Sequence, residues 1–263
     1  ADWIKHFTAS TFLLQTFFPS ADYFFSFNSP SWSLGCEQLF YFCFPLIVPF
    51  LHTKRSLFIT LLICLPIMLA GMYLTNEEQI KAYWYVNPFT RLPDFFVGVL
   101  LYQFYRSLCN KKLSYSTGTL LEAGAVALFL LFFLCTADIP KVYRYSCYYW
   151  LPVSLIILIF ALQQGGISRL LSNRFLIIGG EISYSFYLIH LFIIDAYMRM
   201  SAHYHWQIQW TISVPVILCI TIILSLLSFY YFEKPANKWV KRIFTKKTII
   251  NQPHGIINKN TPN

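Results

Sequence analysis

Long apolar stretches alternate with short polar segments along most of the chain. The apolar residues are continuous rather than alternating, which favours helices, because a helix satisfies its own backbone groups in lipid. About 17–25 apolar residues are needed for a helix to cross a bilayer. We therefore predict an all-α, polytopic transmembrane helix bundle. Its predicted spans are residues 32–51, 57–74, 92–105, 118–135, 148–162, 182–200 and 210–232, with residues 7–18 as the outer end of an eighth, incomplete span.

The Lys and Arg residues test this topology. If all seven segments cross the membrane, fourteen of the 20 Lys and Arg residues fall on one side, and basic residues collect on the cytoplasmic side. Segment 92–105 is short enough to be a re-entrant element, but its removal would abolish the charge bias. The topology therefore places the C-terminal tail in the cytoplasm and the start of segment 32–51 at the outer side.

The composition supports a membrane protein. Hydrophobic residues make up 57% of the chain and charged residues 12%, whereas soluble domains have roughly 45–50% and 25%. The formal net charge of +9 comes from loops and tail, so membrane orientation explains it and nucleic acid is not an expected partner. Most cysteines lie in apolar segments and no metal site is expected. We predict one helical bundle over residues 1–245 and a polar, unstructured tail over 246–263.

Two polar clusters lie near the predicted outer surface. Ser33, Glu37 and Tyr41 are spaced four apart, so they form one stripe on a helix, and the Ser33 hydroxyl is placed to pair with the Glu37 carboxylate. Glu37 is either functional or an anchor for the helix start. Arg91 either pairs with Glu37 across helices or makes a local contact with Asp94, and both interpretations stay open at this point.

Two more clusters lie in the C-terminal third. Ser183, Tyr187 and His190 follow an i, i+4, i+7 pattern and carry an imidazole to mid-membrane depth, with a tyrosine hydroxyl as its expected partner. A buried histidine has a structural or a functional explanation, and neither is excluded. Glu233, before Lys234 and Pro235, is interpreted as an anchor that is solvated or bridged to a basic loop.

The four clusters together, in this order, resemble the membrane acyltransferase-3 family, which includes bacterial O-acetyltransferases of cell-surface polysaccharides. The resemblance depends on motifs that are weak singly and specific in combination. They are Ser31-Trp32-Ser33-Leu34 with Glu37, Phe40-Tyr41 and Pro45; Arg91-Leu92-Pro93-Asp94-Phe95 with Gly98; Gly180-Glu181-Ile182-Ser183-Tyr184-Ser185-Phe186-Tyr187-Leu188-Ile189-His190; and Glu233-Lys234-Pro235.

The resemblance implies a bundle of about ten helices in the inner (plasma) membrane. Such an enzyme passes an acyl group, usually acetyl from acetyl-CoA, to a hydroxyl of a surface polysaccharide or lipid-linked glycan. Acyl-CoA, the glycan and membrane lipid are the implied partners, with acyl-CoA as donor substrate and no bound cofactor. The family's catalytic histidine and its arginine motif are expected upstream of residue 1, and His6 matches neither.

Six residues are carried over from the family motifs. Glu37 and Arg91 are the candidate catalytic residues. Trp32, Ser33, Tyr187 and His190 are the candidate substrate-binding residues. Two rival functions remain: a transporter or flippase for a polyprenyl-linked glycan, and a membrane partner that has lost catalysis. The sequence contains no GxSxG, P-loop, HExxH or GxGxxG motif, so soluble hydrolase, NTPase, zinc-protease and dinucleotide chemistry lack support.

Overall fold

The computed structural model describes residues 2–50, 53–206 and 209–250, without the side chains of 245–250, and this part of the chain contains helices and no strand. The α-helices are α1 (Asp2–Thr11), α2 (Ala21–Phe24), α3 (Trp32–Ile47), α4 (Lys54–Leu74), α5 (Pro88–Leu108), α6 (Tyr115–Leu134), α7 (Lys141–Arg144), α8 (Trp150–Leu162), α9 (Gly166–Leu171), α10 (Arg174–Tyr204), α11 (Trp210–Ser228) and α12 (Lys234–Ile250). Short 3₁₀ turns lie at Gln15–Phe17, Ser29–Ser31, Glu77–Gln79, Cys135–Asp138 and Cys147–Tyr149, and π turns at Lys81–Val86 and Phe229–Glu233.

The predicted all-α class is confirmed, and each of the seven predicted apolar segments overlaps a helix, although α3 ends at Ile47, earlier than its segment. Local capping fixes where three of these helices begin. The side chains of Thr53, Asn87 and Ser114 accept hydrogen bonds from main-chain N–H groups in the first turns of α4, α5 and α6. Such caps satisfy donors that have no partner within the helix. Because Asn87 and Pro88 start α5 early, this helix has 21 residues and is longer than the predicted segment.

Four helical stretches in the described part are long and apolar enough to cross a membrane: Lys54–Leu74, Tyr115–Asp138, Arg174–Tyr204 and Trp210–Phe244. The apolar stretch Cys147–Leu162 is shorter. Helix α3 has only 16 residues, and α5 carries charged residues within its length. The chain is therefore a membrane protein, while seven crossings and their orientation stay predictions.

The chain divides into two compact units, Ala1–Ile177 and Ile178–Asn263, and the division falls within α10. In the first unit α5 packs against α3, α4 and α8, and α6 packs against α8 and α9. Leu57 of α4 and Phe96 of α5 are buried together in one hydrophobic cluster. The position of α5 among three neighbours places its paired residues Arg91 and Asp94 largely in the interior of this unit.

The second unit contains most of α10, then α11, the π turn at Phe229–Glu233 and α12. Hydrogen bonds join α10 to α11, among them one from the Tyr197 hydroxyl to Ser213 Oγ at 2.8 Å. The predicted tail starts inside α12, because that helix continues to Ile250 rather than becoming unstructured after Phe244. The remainder of the predicted tail, residues 251–263, lies outside the described residues.

Candidate functional site

Arg91 lies in the first turn of α5 and is held by two contacts. Its Nη1 donates to Asp94 Oδ2 at 3.0 Å, and its Nε donates to the main-chain oxygen of Tyr85 at 2.9 Å. Both charged side chains are largely buried, with 16% and 29% exposed. The local partner is thus the one formed, and the alternative pair between Arg91 and Glu37 is wrong. Residues three apart on a helix share a face, so Asp94 reaches Arg91 without any neighbouring helix.

Asp94 also joins α5 to α8. Its second carboxylate oxygen, Oδ1, accepts a hydrogen bond from the indole Nε1 of Trp150 at 2.5 Å. Both oxygens of the carboxylate are therefore engaged, and its charge is matched by Arg91. Asp94 is therefore suited to orient its neighbours rather than to act as a general base, because a general base needs a lone pair directed at the reacting proton.

An aromatic pair brings the first two sequence motifs together. The guanidinium carbon of Arg91 lies 5.8 Å from the ring centroid of Trp32 and 5.5 Å from that of Tyr85. The two rings lie 4.6 Å apart. Cations within about 6 Å of an aromatic face are attracted by the ring electrons. Trp32 at the start of α3 and Arg91 at the start of α5, both predicted site residues, therefore form one cluster.

Gly35 and Cys36 form the most deeply buried face of helix α3. A side-chain carbon on Gly35 would lie 2.8 Å from the main-chain oxygen of Leu13, so this approach requires glycine. The Cys36 thiol donates to the main-chain oxygen of Val86 at 3.2 Å. These contacts fix α3 against the preceding segment and against the turn before α5.

Glu37 lies outside this packed face and is exposed. No described residue forms a hydrogen bond or an ion pair with its carboxylate. The expected pair with Ser33 is wrong, because the Ser33 hydroxyl donates instead to the main-chain oxygen of Pro30 at 3.2 Å. Serine hydroxyls often bond to nearby backbone at helix starts, and this competes with longer-range pairing. The catalytic role of Glu37 and the binding role of Ser33 stay predictions.

Two cavities lie on either side of Asp94 and Gly98, which line both. The smaller, of about 250 Å³, lies between α5 and α8. The larger, of about 720 Å³, is a groove along α3 and α5 that includes Phe40, Tyr41 and Tyr102. The other residues of the smaller cavity are Arg91, Val97, Leu101, Ser146, Tyr149, Trp150, Val153, Ser154 and Ile157.

His190 lies within α10 in the second unit and is partly buried. Its Nδ1 lies 2.8 Å from the main-chain oxygen of Tyr187 and 3.3 Å from that of Phe186. A carbonyl oxygen only accepts, so Nδ1 is the donor and a neutral ring keeps its lone pair on Nε2. The Tyr187 and His190 rings lie 6.0 Å apart. These two predicted binding residues are therefore neighbours.

The third and fourth motifs meet through a serine that the sequence did not single out. Ser185, buried in α10, donates to Glu233 Oε2 at 3.0 Å and lies 3.4 Å from Ser228 Oγ. Glu233 was expected to be solvated or bridged to a basic loop; it stays partly exposed, and its partner is Ser185 rather than a basic residue. Ser183, by contrast, is exposed and donates to the main-chain oxygen of Gly180 within its own helix. Residues two apart on a helix point to nearly opposite sides, and Ser185 rather than Ser183 lies on the packed side of α10.

Glu122, in α6, is a buried carboxylate that the sequence reasoning missed. It is only 1% exposed and accepts hydrogen bonds from the main-chain N–H groups of Gly165, Ile167 and Ser168 at 3.0, 2.8 and 3.1 Å. A single acidic residue in the apolar segment 118–135 was the available signal, since ionisable residues within spans are expensive and need partners. The contacts assign Glu122 to holding α9 against α6.

Comparison with known proteins decides the family. The sequence profile described as an acyltransferase domain of the acyltransferase-3 type matches residues 1–230. The chain belongs to the membrane acyltransferase-3 family. This match covers the first three motifs and ends at residue 230, just before Glu233-Lys234-Pro235, and it confirms the resemblance inferred from Trp32, Arg91 and His190.

Relatives in this family carry acyltransferase names. The O-acetyltransferase OatA of Staphylococcus aureus is 28% identical over 221 residues, which are 79% of this chain and 36% of OatA. The acyltransferase MdmB of Streptomyces mycarofaciens is 25% identical over 215 residues, which are 76% of this chain and 54% of MdmB. The chain thus matches about a third to a half of these relatives. No solved structure matches it.

Proposed function

We propose that this chain is part of a membrane-bound O-acyltransferase. It transfers an acyl group, acetyl in the first instance, from acyl-CoA to a hydroxyl of a cell-surface polysaccharide or lipid-linked glycan. One observation carries the proposal: two family motifs, far apart in sequence, place Trp32 and Arg91 in one cluster beside a cavity. The family match over residues 1–230 supports the same reaction class.

Arg91 supplies positive charge where the reaction develops negative charge. Acyl transfer passes through an oxyanion, and fixed donors aimed at that oxygen give the largest single catalytic effect in many enzymes. Two of the guanidinium N–H groups are committed to Tyr85 and Asp94, and arginine has five. The remaining donors are available to an acyl carbonyl oxygen, while Asp94 and Trp32 keep the guanidinium in place.

Glu37 and the second-unit residues have separate proposed roles. The Glu37 carboxylate is exposed and has no partner among the described residues, so it is suited to bind a sugar hydroxyl or to orient the imidazole of the catalytic base. His190 and Tyr187 are assigned to substrate binding, with the Nε2 lone pair of His190 as a hydrogen-bond acceptor. Ser33 and Trp32 contribute to the binding of the acceptor.

The proposed location is the inner membrane, with the C-terminal tail in the cytoplasm. The charge bias among the loops supports this orientation. It places the start of α3 and the Arg91 cluster near the outer face, where a surface glycan is accessible.

The test is acyl transfer from radiolabelled acetyl-CoA to membrane glycan, in vesicles from cells that express the intact gene. Arg91→Ala is expected to lower the rate about 100-fold or more, as for the loss of an oxyanion stabiliser. Arg199→Ala is the matched control, because Arg199 pairs with Asp195 on an exposed surface with 80% of its side chain accessible. Glu37→Gln is expected to lower the rate. Its control is Glu78→Gln, in the exposed 3₁₀ turn Glu77–Gln79.

Two results would contradict the proposal. One is an Arg91→Ala protein that is present at normal amounts in the membrane and transfers acetyl at the normal rate. The other is a wild-type protein that transfers no acyl group yet moves a lipid-linked glycan across vesicles, which would favour a transporter.

A further inference from the structure

A buried serine hydroxyl lacks a partner beside the smaller cavity. Ser146 is 6% exposed, it lines the cavity between α5 and α8, and its Oγ forms no hydrogen bond within the described part of the chain. Buried polar groups normally have partners, and one without a partner calls for an explanation. A ligand that supplies an acceptor oxygen would satisfy this hydroxyl.

The charges around the cavity indicate a neutral ligand. Of the described residues that line it, only Arg91 and Asp94 are charged, and they pair with each other at 3.0 Å. A phosphate or carboxylate would find no uncompensated positive charge there. A neutral carbonyl group could still accept hydrogen bonds from Ser146 and from the remaining donors of Arg91.

The rest of the wall is apolar and the space is small. Val97 and Leu101 of α5 face Val153 and Ile157 of α8 across the cavity. A volume of about 250 Å³ lies below the roughly 300–1,000 Å³ of pockets that hold drug-sized ligands. The cavity therefore suits a small group, such as a short acyl chain with its thioester carbonyl.

We infer that this cavity binds the short acyl group of the thioester donor, and that Ser146 hydrogen-bonds its carbonyl oxygen. The inference rests on the proposed function. In the transfer, the acceptor hydroxyl oxygen bonds to the acyl carbon, and the carbon–sulfur bond breaks. The hydroxyl proton passes through the base to the departing thiolate of coenzyme A. Ser146 stabilises the oxyanion, and Val97 limits the length of the acyl chain.

Two valines of α5 give a matched test of chain length. Val97 lines the smaller cavity, whereas Val99, two residues later, lines only the larger groove. We would measure transfer from acetyl-, propionyl- and butyryl-CoA in membranes that contain the full-length protein. Val97→Ala is expected to raise the butyryl-to-acetyl rate ratio about tenfold, the effect of one or two methylene groups in an apolar pocket. Val99→Ala is expected to leave the ratio unchanged.

The role of Ser146 is tested by separating rate from folding. Ser146→Ala is expected to lower kcat about 100-fold with little change in KM and with no loss in Tm, because the hydroxyl has no partner among the described residues. The control is Ser225→Ala, whose buried hydroxyl donates to the main-chain oxygen of Thr221. This control should keep the normal kcat.

Each outcome is informative. Suppose that the wild type transfers acetyl. The acyl pocket is then overturned, while the proposed function stands, if Val97→Ala and Val99→Ala change the butyryl-to-acetyl ratio equally or if Ser146→Ala keeps its kcat. If the wild type transfers none of the three acyl groups, the proposed function fails and this inference falls with it.

Discussion

Removal of the Glu122 carboxylate should loosen the first unit at the start of α9. In Glu122→Ala, three main-chain N–H groups, two of them buried and one partly buried, lose their acceptor. At about 1 kcal/mol for each net hydrogen bond, the expected loss of stability is roughly 3 kcal/mol. For a protein of this size 1 kcal/mol corresponds to about 2–4 °C, so Tm should fall by about 6–12 °C.

A glycine facing the carboxylate allows a more specific test. A methyl group on Gly165 would lie 2.3 Å from Glu122 Oε2, so Gly165→Ala should also destabilise the protein. In the Glu122→Ala background the same methyl group meets no carboxylate, and the double variant should lose less than the sum of the single losses. Gly124→Ala is the control, because nothing lies within 4 Å of the added carbon.

The measurement is thermal unfolding of the purified protein in detergent, followed by tryptophan fluorescence. Contacts that couple typically deviate from additivity by about 0.5–3 kcal/mol. A Glu122→Ala protein with the wild-type Tm would refute the assignment of this carboxylate to α9. Additive losses in the double variant would refute the close approach of Gly165 and Glu122.

Three other predictions concern the site, the second unit and the topology. Trp150→Phe removes the indole donor to Asp94, so the rate of acyl transfer should fall by at least tenfold while Tm falls by only a few degrees. An unchanged rate in the transfer assay would contradict the role of Trp150 in positioning Asp94. Ser185→Ala should destabilise the protein by about 1–2 kcal/mol in thermal unfolding, because Glu233 loses a partner. The exposed Ser183→Ala should not. A fluorescent protein fused after Asn263 should fluoresce if the tail is cytoplasmic, and a dark but membrane-inserted fusion would reverse the orientation.

The fold class and the family could be predicted from the sequence because they depend on local patterns. Continuous apolar runs specify helices that lipid can surround, and every predicted segment from α3 to α11 overlaps a helix. The helix starts at Thr53, Asn87 and Ser114 follow from side chains that bond to backbone two or three residues away. The four motifs likewise keep their order and spacing in the linear chain, so their resemblance to the family needed no structure.

The partners of the polar residues were decided by tertiary structure. The sequence left open whether Arg91 pairs with Glu37 or with Asp94. Only the packing of α5 against α8 shows that Trp150 also donates a hydrogen bond to Asp94. Glu122 meets a turn 43 residues away, and Ser146 reaches the wall of a cavity. Helical periodicity tells which side chains share a face, but the rotation and tilt of neighbouring helices determine what that face contacts.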